Sequence, residues 1–109
     1  MLQLISKSND GITLSEISQK LDIPVSSTSD ILCSFLETDM VEVRNSRLKS
    51  YVIGPTAYNI GTSFARNSSL LDKSRRIVDE LSKTLNKTVF LGKPANNRVV
   101  YIYKHEPDS

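Results

Sequence analysis

Gly11-Ile12-Thr13-Leu14-Ser15-Glu16-Ile17-Ser18-Gln19-Lys20-Leu21-Asp22-Ile23-Pro24-Val25-Ser26-Ser27 is the stretch that decides the fold. Thr13-Leu14-Ser15-Glu16 has the spacing of a capping box, in which the Thr13 hydroxyl takes the amide of residue 16 while Glu16 reaches back. Leu14, Ile17 and Leu21 follow at i, i+3 and i+7, so the pattern predicts a short helix with one buried stripe. Asp22-Ile23-Pro24 ends it, because Pro24 disfavours helical geometry at Ile23 yet suits the first turn of a new helix. That second helix is expected from about Val25 to Thr38, with Thr28, Ile31, Leu32, Phe35 and Leu36 as its inward stripe. Two helices joined by a turn of about three residues form a helix-turn-helix unit.

Beyond Asp39 the hydrophobic period changes from helical to alternating. Met40-Val41-Glu42-Val43 alternates, Asn45-Ser46 turns, and Lys49-Ser50-Tyr51-Val52-Ile53 alternates again, which predicts a two-stranded hairpin with a basic tip. Helix, helix and basic hairpin in that order make the winged form of the motif. Before it, Leu2, Leu4 and Ile5 read as the end of a helix that begins before Met1, and Asn9-Asp10-Gly11 as a turn. After it, Gly54-Pro55 marks a boundary, and Tyr58, Ile60, Gly61, Phe64 and Ala65 suggest a connecting helix to about Arg66. Asn67-Ser68-Ser69 breaks that helix with capping residues. Leu70, Leu71, Ile77, Val78, Leu81 and Leu85 then define a helix to about Asn86. Strands are expected at 88–91 and 99–103, joined around Pro94-Ala95-Asn96-Asn97. The expected fold class is mainly α with small β, divided into a winged domain at 1–54, a linker helix at 55–68, and at 69–109 the incomplete opening of a further α/β domain. A helix and one hairpin bury too little surface to stand alone, so the chain is expected to be a piece of a longer protein.

The 109 residues carry a net charge of +2, unevenly placed. Residues 1–54 hold five basic side chains against seven acidic, and residues 55–109 nine against five. A nucleic-acid-binding domain gains most of its unspecific affinity from cations, so the sum for 1–54 is unfavourable, while the placement of Arg44, Arg47 and Lys49 within six positions is favourable. No apolar run reaches the roughly 18 residues of a membrane span, and the N-terminus is too polar for a secretory signal. The single cysteine, Cys33, forms no internal disulfide, fits a cytoplasmic setting, and reads as a small buried hydrophobe. His105 has no second ligand at metal spacing, and no phosphate loop, nucleophile elbow or close carboxylate pair is present. The expectation is therefore no enzyme, no cofactor and no metal.

The run from Gly11 through Ile17, Ile23-Pro24-Val25-Ser26-Ser27 and Ile31-Leu32, with Tyr51-Val52-Ile53-Gly54-Pro55 as wing exit, resembles the IclR family of bacterial transcription regulators. The helix at 70–86 followed by Thr88-Val89-Phe90-Leu91 and Val99-Val100-Tyr101 is similar to the opening of that family's effector-binding domain. The resemblance implies a repressor-type regulator whose winged domain binds operator DNA as a homodimer or higher homo-oligomer, with the linker helix in the dimer contact. It also implies a small-molecule effector bound by the remainder of the sensor domain. Two positions depart from the family pattern. Ser29-Asp30 stands where a basic or polar pair is usual, which replaces a phosphate-contacting cation with an anion. Asp39 stands where Gly usually ends the second helix, a small change because Asp tolerates the left-handed turn.

The candidate DNA-binding residues are Val25, Ser26, Ser27, Ser29 and Asp30 on the second helix and Arg44, Arg47 and Lys49 on the wing. Helix-turn-helix proteins place base contacts at the start of the second helix. Short hydroxyls let that helix approach closely, and its end offers amide donors to a phosphate. The competing reading of the serines is capping alone. Asp30 either accepts from a cytosine amino group or, the preferred reading, pairs with a basic side chain of the wing or first helix. The wing cations either meet the DNA backbone or minor groove or merely protect a solvated edge. Tyr58 and Phe64 read as core or dimer contacts, and Lys73, Arg75 and Arg76 as a solvated helix face. The rival function is a winged helix used for protein–protein contact or dimerisation without DNA.

Overall fold

The computed structural model describes residues 1–108 and divides into two compact units, Met1–Thr62 and from Ser63 onward. In the first unit the chain runs α1 (Leu2–Ser6), β1 (Ile12–Thr13), α2 (Leu14–Leu21), α3 (Val25–Glu37), β2 (Val41–Asn45) and β3 (Ser50–Ile53), then enters α4 (Pro55–Asn67). Its core is Ile5, Ile12, Ile17, Leu32, Val41 and Tyr51, with Leu14, Phe35, Leu36 and Ile53 packed around them. Each element from α1 to β3 contributes one of the six core side chains, so burial of apolar surface fixes these elements together.

The capping box forms as the sequence predicts. The Glu16 amide donates to the Thr13 hydroxyl at 3.3 Å, while Glu16 Oε1 accepts from the Thr13 amide at 3.2 Å. These bonds from Thr13, backbone first and hydroxyl second, hold the Glu16 carboxyl below its ordinary pKa, with Lys20 adding a smaller pull. At the other end, Asp22 is left-handed (φ 53°), and the Ile23 amide reaches back to the Ser18 carbonyl at 3.1 Å. The buried Ser18 hydroxyl donates to the Ile23 carbonyl at 2.6 Å, closing the turn from inside. The end of α3 repeats the backbone pattern: Asp39 is left-handed (φ 59°), and the Met40 amide donates to the Phe35 carbonyl at 3.0 Å. Both ends are Schellman motifs with Asp where Gly is usual.

Two expectations for α3 need correction. Ile31 is 39% exposed rather than buried, and Cys33 is exposed. At about 100° per residue, Thr28, Leu32 and Phe35 share the inward centre, Ile31 falls at its margin, and Cys33 points nearly opposite. Apolar neighbours in sequence do not bury a helical residue; angle does.

The wing is part of a three-stranded antiparallel sheet in the order β1-β3-β2, not an isolated hairpin. Ile12 pairs with Tyr51 and Thr13 with Ser50. Two residues are too short to display alternation, which is why the third strand is invisible in the sequence. The wing turn is longer than Asn45-Ser46, occupying residues 46–49. Gly54 joins the sheet to the end of α3: its amide donates to the Met40 carbonyl at 2.8 Å, and a Cβ there would lie 2.4 Å from the Asp39 carbonyl oxygen. Pro55 then occupies the first position of α4, where its missing amide costs nothing.

The second unit contains α5 (Ser69–Leu85) and a hairpin of β4 (Val89–Ala95) and β5 (Arg98–His105). The Ser68 hydroxyl caps α5 by accepting from the Leu71 amide at 3.2 Å, and left-handed Asn86 ends it. The strands are longer than the alternation suggests: β4 continues through Pro94, and the turn is only Asn96-Asn97, both with positive φ, the geometry of a tight hairpin turn. Within this unit only Leu71 and Val78 of the predicted α5 stripe are buried, whereas Leu70, Ile77, Leu81 and Leu85 are exposed. The hairpin is one sheet layer and covers one side of the helix. Ser82 sits beneath it, its hydroxyl between the Lys87 carbonyl at 2.7 Å and the His105 carbonyl at 3.1 Å, donating to one at a time.

Candidate nucleic-acid interface

The start of α3 presents free amide donors beside short hydroxyl side chains. Its N-cap is Pro24, which supplies no side-chain cap. The first intrahelical bond runs from the Thr28 amide to the Pro24 carbonyl at 3.0 Å, so the amides of Val25, Ser26 and Ser27 precede it and point outward along the axis. Val25, Ser26 and Ser27 are exposed and Ser29 is half-buried. Capping does not engage these serines, and the hydroxyl that does work at this end belongs to buried Thr28, which donates to the Pro24 carbonyl at 3.0 Å. Thr28 turns inward, and Ser26 and Asp30 occupy the face opposite, flanked by Ser27 and Ser29.

Asp30 is exposed, and among the described residues it makes no ion pair; the pair present is Lys104 with Glu106, at 2.8 Å. The preferred pairing of Asp30 with a wing or α2 cation is therefore absent. Ser34 uses the Asp30 backbone carbonyl at 3.4 Å, which leaves the carboxylate facing solvent.

The wing presents Arg44, Arg47 and Lys49, all exposed and without a carboxylate partner among the described residues. Register shifts between Val43, opposite Tyr51, and Asn45, opposite Ser50, so Arg44 is the extra residue of a β-bulge. Such a bulge bends the strand and re-aims the side chain. Asn45 organises the tip: its Oδ1 accepts from the Arg47 amide at 2.9 Å and the Leu48 amide at 3.3 Å. Lys49 closes the turn in the left-handed region (φ 46°). Leu48, 72% exposed between two cations, is a feature the sequence reading passed over. Its signal was present: an apolar residue inside a turn, with no strand alternation to account for it.

Tyr58 and Phe64 are not core residues; α4 buries no side chain, and these two are 75% and 46% exposed. In the second unit, Arg75 lies over the Tyr103 ring at 5.3 Å, while Lys73 and Arg76 are exposed. Among the described residues no three His, Cys, Asp or Glu side chains gather as a metal site would require. No described helix is long and apolar enough to cross a membrane.

Two helices, a three-residue turn and a basic wing place the first unit among the winged helix-turn-helix domains. Residues 1–44 match the IclR helix-turn-helix domain. Over 106 residues the chain is 30% identical to the HTH-type transcriptional regulator BhcR of Paracoccus denitrificans, covering 97% of this chain and 37% of that one. The crystal structure of the Thermotoga maritima IclR superposes over 99% of this chain and 43% of that one, at 26% identity and TM-score 0.64. An IclR transcriptional regulator from Alicyclobacillus acidocaldarius superposes over 99% of this chain and 44% of its own length with TM-score 0.85; at 23% identity that match concerns the fold. The chain belongs to the IclR family of transcription regulators. It spans little more than a third of the length of the first curated relatives it matches.

Proposed function

We propose that this chain binds operator DNA as a homodimer, with α3 in the major groove, the wing on the adjacent backbone or minor groove, and a small-molecule effector controlling the affinity. The observation that carries the reading is the junction of two features in one small unit: an α3 start with three forward amides and serines that no cap engages, and a wing tip with three cations that no carboxylate among the described residues neutralises. Amides at a helix start attract phosphate, and cations on a hairpin displace counterions from the backbone. In this reading Val25, Ser26, Ser27 and Ser29 approach the bases, and Asp30, facing solvent, is available to a cytosine amino group. Residues 1–54 form the binding domain, 55–68 the linker, and 69–109 the opening of the effector domain. The regulator works in the cytoplasm and catalyses nothing.

The net charge of −2 over residues 1–54 supports a second reading, a protein–protein or dimerisation module without DNA. Binding to a mixed-sequence duplex, titrated against salt, separates the two. DNA binding weakens steeply with salt, and Arg47→Ala weakens it for all sequences and flattens the slope of log affinity against log salt by about one. Unchanged affinity and slope in Arg47→Ala remove the wing from the interface, and no binding at low salt favours the second reading.

A further inference from the structure

We infer that Leu48 is an apolar wedge: as the wing meets duplex DNA, this side chain enters the minor groove and opens a base step. The inference rests on the DNA-binding reading and adds a specificity-determining contact to it. Leu48 is 72% exposed, more than any other large aliphatic side chain among the described residues. A solitary exposed leucine is unremarkable on an ordinary surface. This one stands between Arg47 and Lys49, on a wing whose β-bulge carries Arg44, and no carboxylate among the described residues pairs any of the three cations. Such a tip is drawn to the negative potential of the minor groove, where an apolar side chain gains most burial by entering between bases.

The backbone is set for that task beforehand. Asn45 Oδ1 holds both the Arg47 and Leu48 amides, and Lys49 holds the left-handed turn. Insertion therefore orders one leucine side chain rather than a loop. α3 offers no cation of its own between Val25 and Glu37, so a contact that adds apolar burial to the wing supplies affinity the helix lacks. Pyrimidine–purine steps unstack most readily, so the wedge selects them at a position where α3 makes no contact.

The experiment selects duplexes from a randomised library with the full 109-residue chain and with Leu48→Ala and Leu48→Lys. The wild-type chain enriches a flexible step at the wing-facing position. Leu48→Ala keeps the α3 part of the selected sequence, loses that step preference, and binds the wild-type winner roughly ten-fold more weakly, the scale of burying one leucine. With 2-aminopurine at the step, wild type raises the fluorescence by unstacking and both variants do not. Leu48→Lys is decisive: a passive surface leucine replaced by a cation gives tighter binding and a steeper salt slope, which overturns the wedge, whereas a displaced wedge gives the lost step preference and lost fluorescence. Equal selection and affinity in Leu48→Ala also overturn it. Failure of the wild-type chain to enrich any duplex overturns the DNA-binding reading itself, a separate result.

Discussion

Gly54 and Gly61 sit seven residues apart, and the same substitution at each has opposite consequences. A Cβ on Gly54 lies 2.4 Å from the Asp39 carbonyl oxygen and 3.1 Å from both the Asp39 carbonyl carbon and the Val41 nitrogen. All three are backbone atoms, fixed by the helix end on one side and the β2 ladder on the other. To regain the 3.0 Å that real contacts keep, the segments separate by about 0.6 Å. That separation acts on two bonds, Gly54 amide to Met40 carbonyl at 2.8 Å and Thr56 amide to Asp39 carbonyl at 3.1 Å. Losing one or both, at about 1 kcal/mol each, on top of about 1–2 kcal/mol of overpacking, costs about 2–4 kcal/mol. A unit of this size holds roughly 3–9 kcal/mol in all, so Gly54→Ala removes a large share of it. Gly61 has nothing within 4 Å and lies exposed inside α4, so Gly61→Ala stabilises the helix by about 0.5–1 kcal/mol. Urea unfolding followed by far-ultraviolet circular dichroism measures both. A Gly54→Ala chain within about 0.5 kcal/mol of wild type refutes the reasoning, as does a Gly61→Ala chain that is the less stable of the two.

Ser27→Leu places a branched side chain at the exposed start of α3; it leaves the circular dichroism and unfolding midpoint unchanged and weakens duplex binding at least roughly ten-fold, the scale of one lost groove contact, while normal binding rejects the docking orientation. Tyr103 donates its hydroxyl to Asp79 Oδ1 at 2.7 Å, and that bond, with desolvation second, raises the phenol pKa. The neutral form is the one favoured by folding, so this stabilisation is complete below the ordinary phenol range and is lost as pH rises through it to the raised value. The stability difference between wild type and Tyr103→Phe, read from thermal unfolding, therefore narrows at strongly alkaline pH; a difference independent of pH discards the bond as its source.

What the sequence made legible was local. The capping box at Thr13, the stop at Asp22-Ile23-Pro24 and the alternation around the wing each depend on neighbours within four residues, and each forms. What it hid depended on angle or on distant partners. Cys33 was placed by the company it keeps in sequence, yet the helix turns it outward. β1 exists because Tyr51 and Ser50 offer it a free edge, a fact about residues 39 and 37 positions away from their partners. In the second unit the apolar stripe of α5 is plain in the sequence, but burial needs a second surface, and there Leu71 and Val78 are buried while Leu81 and Leu85 stay exposed.

The acid residues left by the family departures bear on how the proposed interface divides its labour. Asp22 and Asp39 serve helix ends: each holds a left-handed cap through its backbone, one closing α2 and the other α3. Asp30 is different, since it shares the outward face of α3 with Ser26 and has no cation among the described residues to neutralise it. A phosphate approaching that face meets attraction from the roughly half positive charge of the helix start and repulsion from the full negative charge of one carboxylate, so at long range the face is net repulsive. Attraction from a distance then falls to Arg44, Arg47 and Lys49, and the helix contributes at close range, where hydroxyls and a carboxylate discriminate between base edges. Removing the anion by Asp30→Asn should therefore raise binding to every sequence while narrowing the gap between a selected duplex and a random one. Equal gains with the gap intact would mean that Asp30 only repels, and that the wing and the serines carry the selectivity without it.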